Sequence, residues 1–350
     1  MKAGVIKGIE NIITHPNMDE GEKVFQIKNL IYESEIYNTK PRESKTISDL
    51  FTENLNVIKN GIMDDKVIKT GFKDLDGVLG GFSYGEFNVF AGRPGMGKTV
   101  LLVNLVLKIS ETIPILYFTF DVSESLLTSR FLSTLSKIPL SKIVQQNLTI
   151  DEKELLISLE GKISNQKVFI NSSCNNSISA MKEHCLKQIR ENGVKVIVVD
   201  YIQMMGSNRN RNNRELEISY VCRELKNIAK DNNVCVIGTS LLSRNSERRE
   251  GNRPQLNDLS ESGAIEQNAD KVMMIYRPEY YGLDEDEQGN STKNVIELLI
   301  RKNRNGPIDD IKLQRDSEFT TITDFNEYTT GFTFSQNRLD ELDELDRPPF

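Results

Sequence analysis

The 350-residue chain predicts an α/β fold with a mainly parallel central sheet flanked by helices and a short helical N-terminal extension. Three observations carry that expectation. From about residue 66, near-continuous Val/Ile/Leu runs alternate with amphipathic stretches, the pattern of strands covered on both faces and joined by crossover helices. One run leads straight into a glycine-rich loop followed by a helical pattern, and another ends in an aspartate. No internal repeat is present to suggest a different architecture.

Taken in order, residues 20–31 place Val24, Ile27, Leu30 and Ile31 on one helical face, and residues 47–58 do the same with Leu50, Phe51, Leu55 and Ile58. Asn38-Thr39-Lys40-Pro41-Arg42 breaks the pattern between them. These helices are too few to enclose a core, so they are expected to dock on their own domain or on a neighbouring subunit. Strands follow at Glu86–Ala91, Ile115–Phe120, Lys167–Ile170, Val194–Val199, Val234–Thr239, Lys271–Tyr276 and Val295–Arg301, with helices starting near Lys98, Ser123, Ser177 and Arg214. After Phe325 the periodicity is lost and a mobile tail is expected. The expected division is an extension over 1–45, a linker helix over 46–65, the α/β domain over 66–328 and an acidic tail over 329–350.

A 38% hydrophobic content is enough for one large core, and no apolar run is long enough to span a bilayer. With no signal-peptide pattern at Met1-Lys2-Ala3-Gly4, a cytoplasmic protein with no membrane partner is expected. Cys174, Cys185, Cys222 and Cys235 lack CxxC spacing, and with only His15 and His184 to help them a zinc site is disfavoured. The formal charge of −7 argues against indiscriminate nucleic-acid coating. It averages over arginine clusters at 209–214 and 244–253 and acidic runs at 284–287 and 340–346, so any nucleic-acid surface is local.

Gly92-Arg93-Pro94-Gly95-Met96-Gly97-Lys98-Thr99 matches G-x-x-x-x-G-K-[ST] between a predicted strand and a predicted helix. Glycines let the backbone turn its N–H groups toward phosphate oxygens, and the helix start adds favourable dipole charge. Lys98 is expected on the β- and γ-phosphates of ATP, and Thr99 on Mg²⁺. The run Val194 to Val199 ends in Asp200, a carboxylate at the crevice end of a parallel strand and a candidate to hold Mg²⁺ through water. Asp121, after the strand Ile115 to Phe120, is either the base that polarises the attacking water or the N-cap of the helix near Ser123.

Several further motifs occur in order: Thr70-Gly71-Phe72 to Gly80-Gly81-Phe82, Phe118-Thr119-Phe120-Asp121-Val122-Ser123, Asp200-Tyr201-Ile202-Gln203-Met204-Met205, the stretch Asp258 to Asp270, and Arg301-Lys302-Asn303-Arg304-Asn305-Gly306-Pro307. With the loop at 92–99 they resemble the C-terminal motor of DnaB-type replicative helicases of superfamily 4 over about residues 46–328. The resemblance implies a RecA-like P-loop NTPase fold, a homohexameric ring around single-stranded DNA, ATP sites shared between subunits and a role in DNA replication. It puts Asp121 in the place of the family's catalytic glutamate, and Arg304 with Lys302 in the place of groups inserted into a neighbour's site. A cation supplied in trans would stabilise charge developing on the transferred phosphoryl. The DNA-facing loops are then 206–214 and 244–263, with Arg209, Arg211, Arg214, Arg244, Arg248, Arg249, Arg253, Ser260, Glu261 and Gly263 as candidate contacts that track the backbone.

The chain also departs from that pattern. Leu241 follows Ser240 where the family has a γ-phosphate-sensing glutamine, and leucine cannot hydrogen-bond phosphate. Asp121 is a methylene shorter than glutamate, so slow hydrolysis is expected. Ser260 replaces a usual arginine of the DNA loop, a loss that Arg248 or Arg249 could offset. Residues 1–45 are shorter than the family's collar domain, whereas 47–60 resembles its linker helix. The tail, acidic over 339–346 and ending at Phe350, is similar to phenylalanine-ended docking tails that bind replication partners; a purely solubilising end is the alternative. The leading expectation is an ATP-dependent hexameric DNA helicase or translocase on single strands. The alternative is a non-unwinding RecA/KaiC-like ATPase switch controlling assembly or DNA binding.

Overall fold

A computed structural model describes residues 2–16, 18–24, 26–27, 30, 44–59, 67–173, 176–206, 213–259 and 263–326. The chain divides into two compact units, 1–64 and 65–350. In the first, α1 covers Lys2–Ile13, residues 20–24 are helical, and α2 covers Ile47–Lys59. Thr46 starts α2: its hydroxyl accepts from the Asp49 N–H at 3.2 Å while the Asp49 carboxylate accepts from the Thr46 N–H at 3.2 Å, reciprocal capping of two donors that the helix leaves free.

The second unit contains β1 (Val67–Ile68), α3 (Lys73–Leu79), β2 (Phe82–Ser83), β3 (Phe87–Gly92), α4 (Lys98–Ile109), β4 (Ile115–Thr119), α5 (Glu124–Ser136), α6 (Leu140–Val144), α7 (Ile150–Ser158), α8 (Glu160–Ser164) and β5 (Val168–Asn171). It continues through α9 (Ile178–Asn192), β6 (Val196–Asp200), α10 (Arg214–Asn232), β7 (Cys235–Leu241), α11 (Gly263–Asn268), β8 (Lys271–Tyr276), β9 (Val295–Asn303), β10 (Asp310–Arg315) and β11 (Ile322–Asp324). Nine strands form one sheet in the order β11-β10-β9-β8-β3-β7-β6-β4-β5, and β1 pairs separately with β2. From β8 to β5 every pairing is parallel. The last predicted strand departs from the parallel expectation: β9 runs antiparallel to β8, and β10 and β11 continue antiparallel.

Alternate residues of each strand bury to opposite sides, which is why the runs read as continuously apolar. On one side Val89, Phe118, Val199 and Val236 pack with Met181 of α9 and Leu225 of α10. On the other, Phe90, Tyr117, Val198 and Ile237 pack with Leu75 of α3, Leu102 of α4 and Leu127 of α5. Parallel strands thus point their C-terminal ends toward one edge of the sheet, where the loops after β3, β4, β6 and β7 gather. Among the described residues no helix is long and apolar enough to cross a membrane. The expected acidic tail, 329–350, lies outside the described residues.

Candidate nucleotide-binding site

The loop after β3 turns through Gly95 (φ 81°) and Gly97 (φ 94°), both in the left-handed region where a side chain would be strained. Gly97 also ends the turn as the N-cap of α4, so the helix starts under the loop. Lys98 folds back across it, donating from Nζ to the carbonyls of Gly92 (2.9 Å) and Arg93 (3.1 Å). Burial lowers the Lys98 pKa to about 8; the charge of Asp200 opposes the shift, that of Arg93 adds to it, and that of Asp121 opposes it.

Asp200, at the end of β6, is buried and satisfied from three strands or helices. Thr99 Oγ1 donates to its Oδ2 at 2.8 Å, the Tyr117 hydroxyl to the same oxygen at 3.1 Å, and Thr239 Oγ1 to Oδ1 at 2.5 Å. Burial, with the nearby Asp200 charge, drives the Tyr117 pKa well above its ordinary value, so that hydroxyl stays a donor. A threonine hydroxyl and a carboxylate in contact form a hard-oxygen donor pair suited to Mg²⁺. Among the described residues no group of three or more His, Cys, Asp or Glu forms a self-contained metal cage.

These groups open on a cleft of about 420 Å³ lined by Pro94, Gly95, Gly97, Lys98, Thr99, Val100, Asp121, Arg130, Asp200, Tyr201, Leu241 and Phe319. Asp121 therefore faces the same space as the phosphate loop. The cap of α5 is Ser123, whose Oγ accepts from the Leu126 N–H at 3.2 Å, so the capping alternative for Asp121 does not hold. Leu241 donates its backbone N–H to Gln203 Oε1 at 3.3 Å, and Gln203 Nε2 donates to Ser240 Oγ at 2.8 Å. Arg93 leaves the loop: its Nε donates to Glu247 at 2.8 Å and its Nη1 to the Leu242 carbonyl at 2.8 Å. Met96 is buried under the loop and packs in the core with Leu101.

Arg304 and Lys302 stand at the other edge of the sheet. The Arg304 N–H donates to the Asp270 carbonyl at 3.0 Å, its Nη2 to the Gln267 carbonyl at 2.7 Å, and its Nη1 lies 3.6 Å from Asp270 Oδ1. Asp270 also accepts from the Phe87 N–H at 2.8 Å, at the start of β3. The phosphate loop begins at the other end of that six-residue strand, about 17 Å away at the usual rise per residue. Lys302 Nζ donates to the Glu266 carbonyl at 2.5 Å.

The arginines of the two predicted DNA loops divide. Arg214 donates to the Met205 carbonyl at 3.1 Å and pairs with Glu217; Arg249 pairs with buried Asp258, donating at 2.8 Å from Nη1. Arg253 pairs with Glu297 at 2.5 Å and Asp310 at 2.7 Å, beneath the Tyr276 ring. Arg244 is exposed, and Gly263 opens α11. Arg209, Arg211, Ser260, Glu261 and Phe350 lie outside the described residues, as does the side chain of Arg248.

Sequence reasoning passed over Arg130, Thr239, Tyr201 and Phe319. Thr239 was legible as the polar end of an apolar strand, because parallel neighbours end together. Phe319 was not, since it reaches the site from a turn more than 200 residues along the chain from the loop it touches.

A phosphate loop, a buried strand-end aspartate and a mainly parallel sheet with helices on both faces define a RecA-like P-loop ATPase fold. The chain belongs to the DnaB-like helicase C-terminal domain family, whose model matches residues 67–324. It is 34% identical over 308 residues to a probable replicative DNA helicase of Trieres chinensis, covering 87% of this chain and 66% of that protein. It is also 34% identical over 272 residues to the replicative DNA helicase DnaC of Bacillus subtilis (strain 168), covering 76% of this chain and 58% of that protein. The chain thus spans somewhat less than two thirds of the length of these relatives. Among solved structures, an ATPase domain superposes with a TM-score of 0.74 at 26% identity, covering 81% of this chain and 100% of that one. A DnaB-like replicative helicase, described with its interactions with primase, superposes with a TM-score of 0.71 at 25% identity over 93% of this chain and 76% of that one.

Proposed function

We propose that this chain is an ATP-dependent DNA helicase or translocase that works on single-stranded DNA in replication as a homohexameric ring. The observation that carries the reading is the separation of Arg304 from the phosphate loop of its own chain. A half-exposed cation held at the opposite end of the strands by Gln267 and Asp270 has no route to its own site but can be presented to a neighbour's, which makes hydrolysis depend on assembly. The replicative helicases named above favour this reading over a non-unwinding switch.

In the proposed cycle the triphosphate enters the loop 92–99, and Lys98 exchanges its two carbonyl partners for β- and γ-phosphate oxygens. Thr99 directly, and Asp200 through water, would hold Mg²⁺, which would neutralise charge on the phosphates. Asp121 orients and polarises the attacking water from across the cleft. Turnover is slow in this reading, because Asp121 reaches less far than glutamate and Leu241 offers no polar side chain. Arg304 and Lys302 of a neighbouring subunit complete the site.

DNA is assigned to the loops 206–214 and 244–263. Arg244 and the cluster at 209–211 are its foremost phosphate contacts, because Arg214, Arg249 and Arg253 already answer carboxylates of their own chain. The apolar face of α2, with Ile47, Leu50, Phe51 and Ile58 exposed, is assigned to subunit contact. The acidic tail with Phe350 is assigned to a replication partner, on its charge and on the aromatic ring that charge would deliver to a pocket.

The test is single-strand-stimulated ATP hydrolysis and fork unwinding by the full chain and its Lys98→Ala variant. Both activities are expected in the wild type and neither in the variant. Robust hydrolysis without unwinding by the wild type would replace the motor with the switch. In the same assays, a chain lacking residues 341–350 should hydrolyse ATP normally and lose capture of its replication partner; undiminished capture removes the tail assignment.

A further inference from the structure

Glu86 immediately precedes β3, and its carboxylate is buried against Lys271, of which only 2% is exposed. The two side chains pair directly, and the Ser83 N–H donates to the same oxygen, Glu86 Oε2, at 3.0 Å. The ammonium is otherwise walled by apolar groups, with the centre of the Phe82 ring 6.0 Å away. Apolar side chains of equal volume commonly stabilise a core as well as such a pair or better, so stability alone does not account for it.

The other carboxylate oxygen, Glu86 Oε1, accepts from Asn305 Nδ2 at 3.0 Å. Asn305 follows Arg304 in the exposed turn that ends β9. The strand reaches that turn through an irregularity: Val272 of β8 pairs with Lys302 and Met273 with Ile300, which leaves Arg301 unmatched. An extra residue of this kind bends its strand and re-aims the side chains that follow. Asn303 closes the turn by donating from Nδ2 to the Pro307 carbonyl at 2.9 Å, and the Arg304 N–H is held by the Asp270 carbonyl at 3.0 Å. The bond from Asn305 to Glu86 thus joins an exposed turn to a buried ion pair, and a hydrogen bond to a charged acceptor is among the stronger ones.

We propose that Asn305 and Glu86 are positioning residues for hydrolysis: the carboxylate, its charge balanced by Lys271, anchors Asn305 and with it the turn that presents Arg304 and Lys302 to the neighbouring subunit's nucleotide. The proposal rests on the reading of Arg304 as a cation supplied in trans and adds what fixes its approach. A cation that acts on charge developing in the transition state must arrive in one place, and a misplacement of about 1 Å can cost up to about a hundredfold in rate.

The experiment measures ATP hydrolysis and Mg-ADP binding by the assembled full chain and its variants. Asn305→Ala is expected to lower kcat roughly ten- to a hundredfold and to leave Mg-ADP affinity unchanged, since ADP lacks the phosphoryl group on which Arg304 acts. Mixed before assembly with an equal amount of Lys98→Ala, it should regain about a quarter of wild-type hydrolysis, because its intact loop then meets undisturbed turns. Glu86→Ala combined with Lys271→Met removes the acceptor without stranding a buried ammonium. That pair should show the same defect, and adding Asn305→Ala to it should cost nothing more. Wild-type kcat in Asn305→Ala would overturn the proposal, as would weakened Mg-ADP binding or additive losses. So would a mixture that gains nothing while Arg304→Ala mixed with Lys98→Ala recovers. A silent Arg304→Ala mixture would instead remove the trans reading beneath it.

Discussion

Lys98 is held by the carbonyls of Gly92 and Arg93, in a pocket that costs it charge. With its pKa lowered to about 8 by burial, it is mostly protonated at pH 7 and mostly neutral at pH 9. The triphosphate selects the charged form, so binding takes up a proton above pH 8 and affinity falls as pH rises through that value. An approximately tenfold weakening of Mg-ATP per pH unit is expected between pH 8.5 and 9.5, measured by calorimetry across buffers. Flat affinity over that range would mean that Lys98 does not meet the phosphates. The Lys98 side chain and its loop were legible in the sequence because a short contiguous motif specifies both. The burial that lowers its pKa was not, since the loops after β3, β4 and β6 close around the side chain only when those strands end together, and the same loops bring Asp200 and Asp121 as opposing charges.

At the scale of elements, the parallel strands and the helices between them were legible because burial on both faces writes itself as unbroken apolar runs. The antiparallel β10 and β11 were missed, although Asp310 to Arg315 alternates buried and open positions, because partners of a sheet edge are set by the hairpin and not by the run itself. What ties the end of β9 to the start of β3 is Asp270, which accepts from the Phe87 N–H at 2.8 Å and from Lys226 Nζ at 2.6 Å while steadying Arg304. Lys226 in turn donates to the Gly85 carbonyl at 2.9 Å. Asp270→Asn leaves a backbone donor satisfied but strands a partly buried ammonium. A loss of about 3 kcal/mol in denaturant-unfolding free energy is expected, and a loss below about 1 kcal/mol would mean that solvent already screens the pair.

For the whole molecule the decisive question is which subunit's arginine serves which site. In a cyclic assembly with heterologous contacts, each nucleotide site pairs the loop of one chain with the finger of the next. Lys98→Ala and Arg304→Ala should therefore each abolish hydrolysis when present in every subunit, for different reasons. Mixed before assembly in equal amounts, the two variants create some junctions where an intact loop from an Arg304→Ala subunit meets an intact finger from a Lys98→Ala subunit. Roughly a quarter of the sites should then be whole, and hydrolysis should return to a comparable fraction of wild type. If Arg304 served its own chain, every site in the mixture would lack one of the two groups and no activity would return. A mixture that stays silent while native mass spectrometry records co-assembled rings would therefore put Arg304 in the site of its own chain and remove the shared site, whereas Arg304→Ala rings that hydrolyse ATP at the wild-type rate would place it outside catalysis.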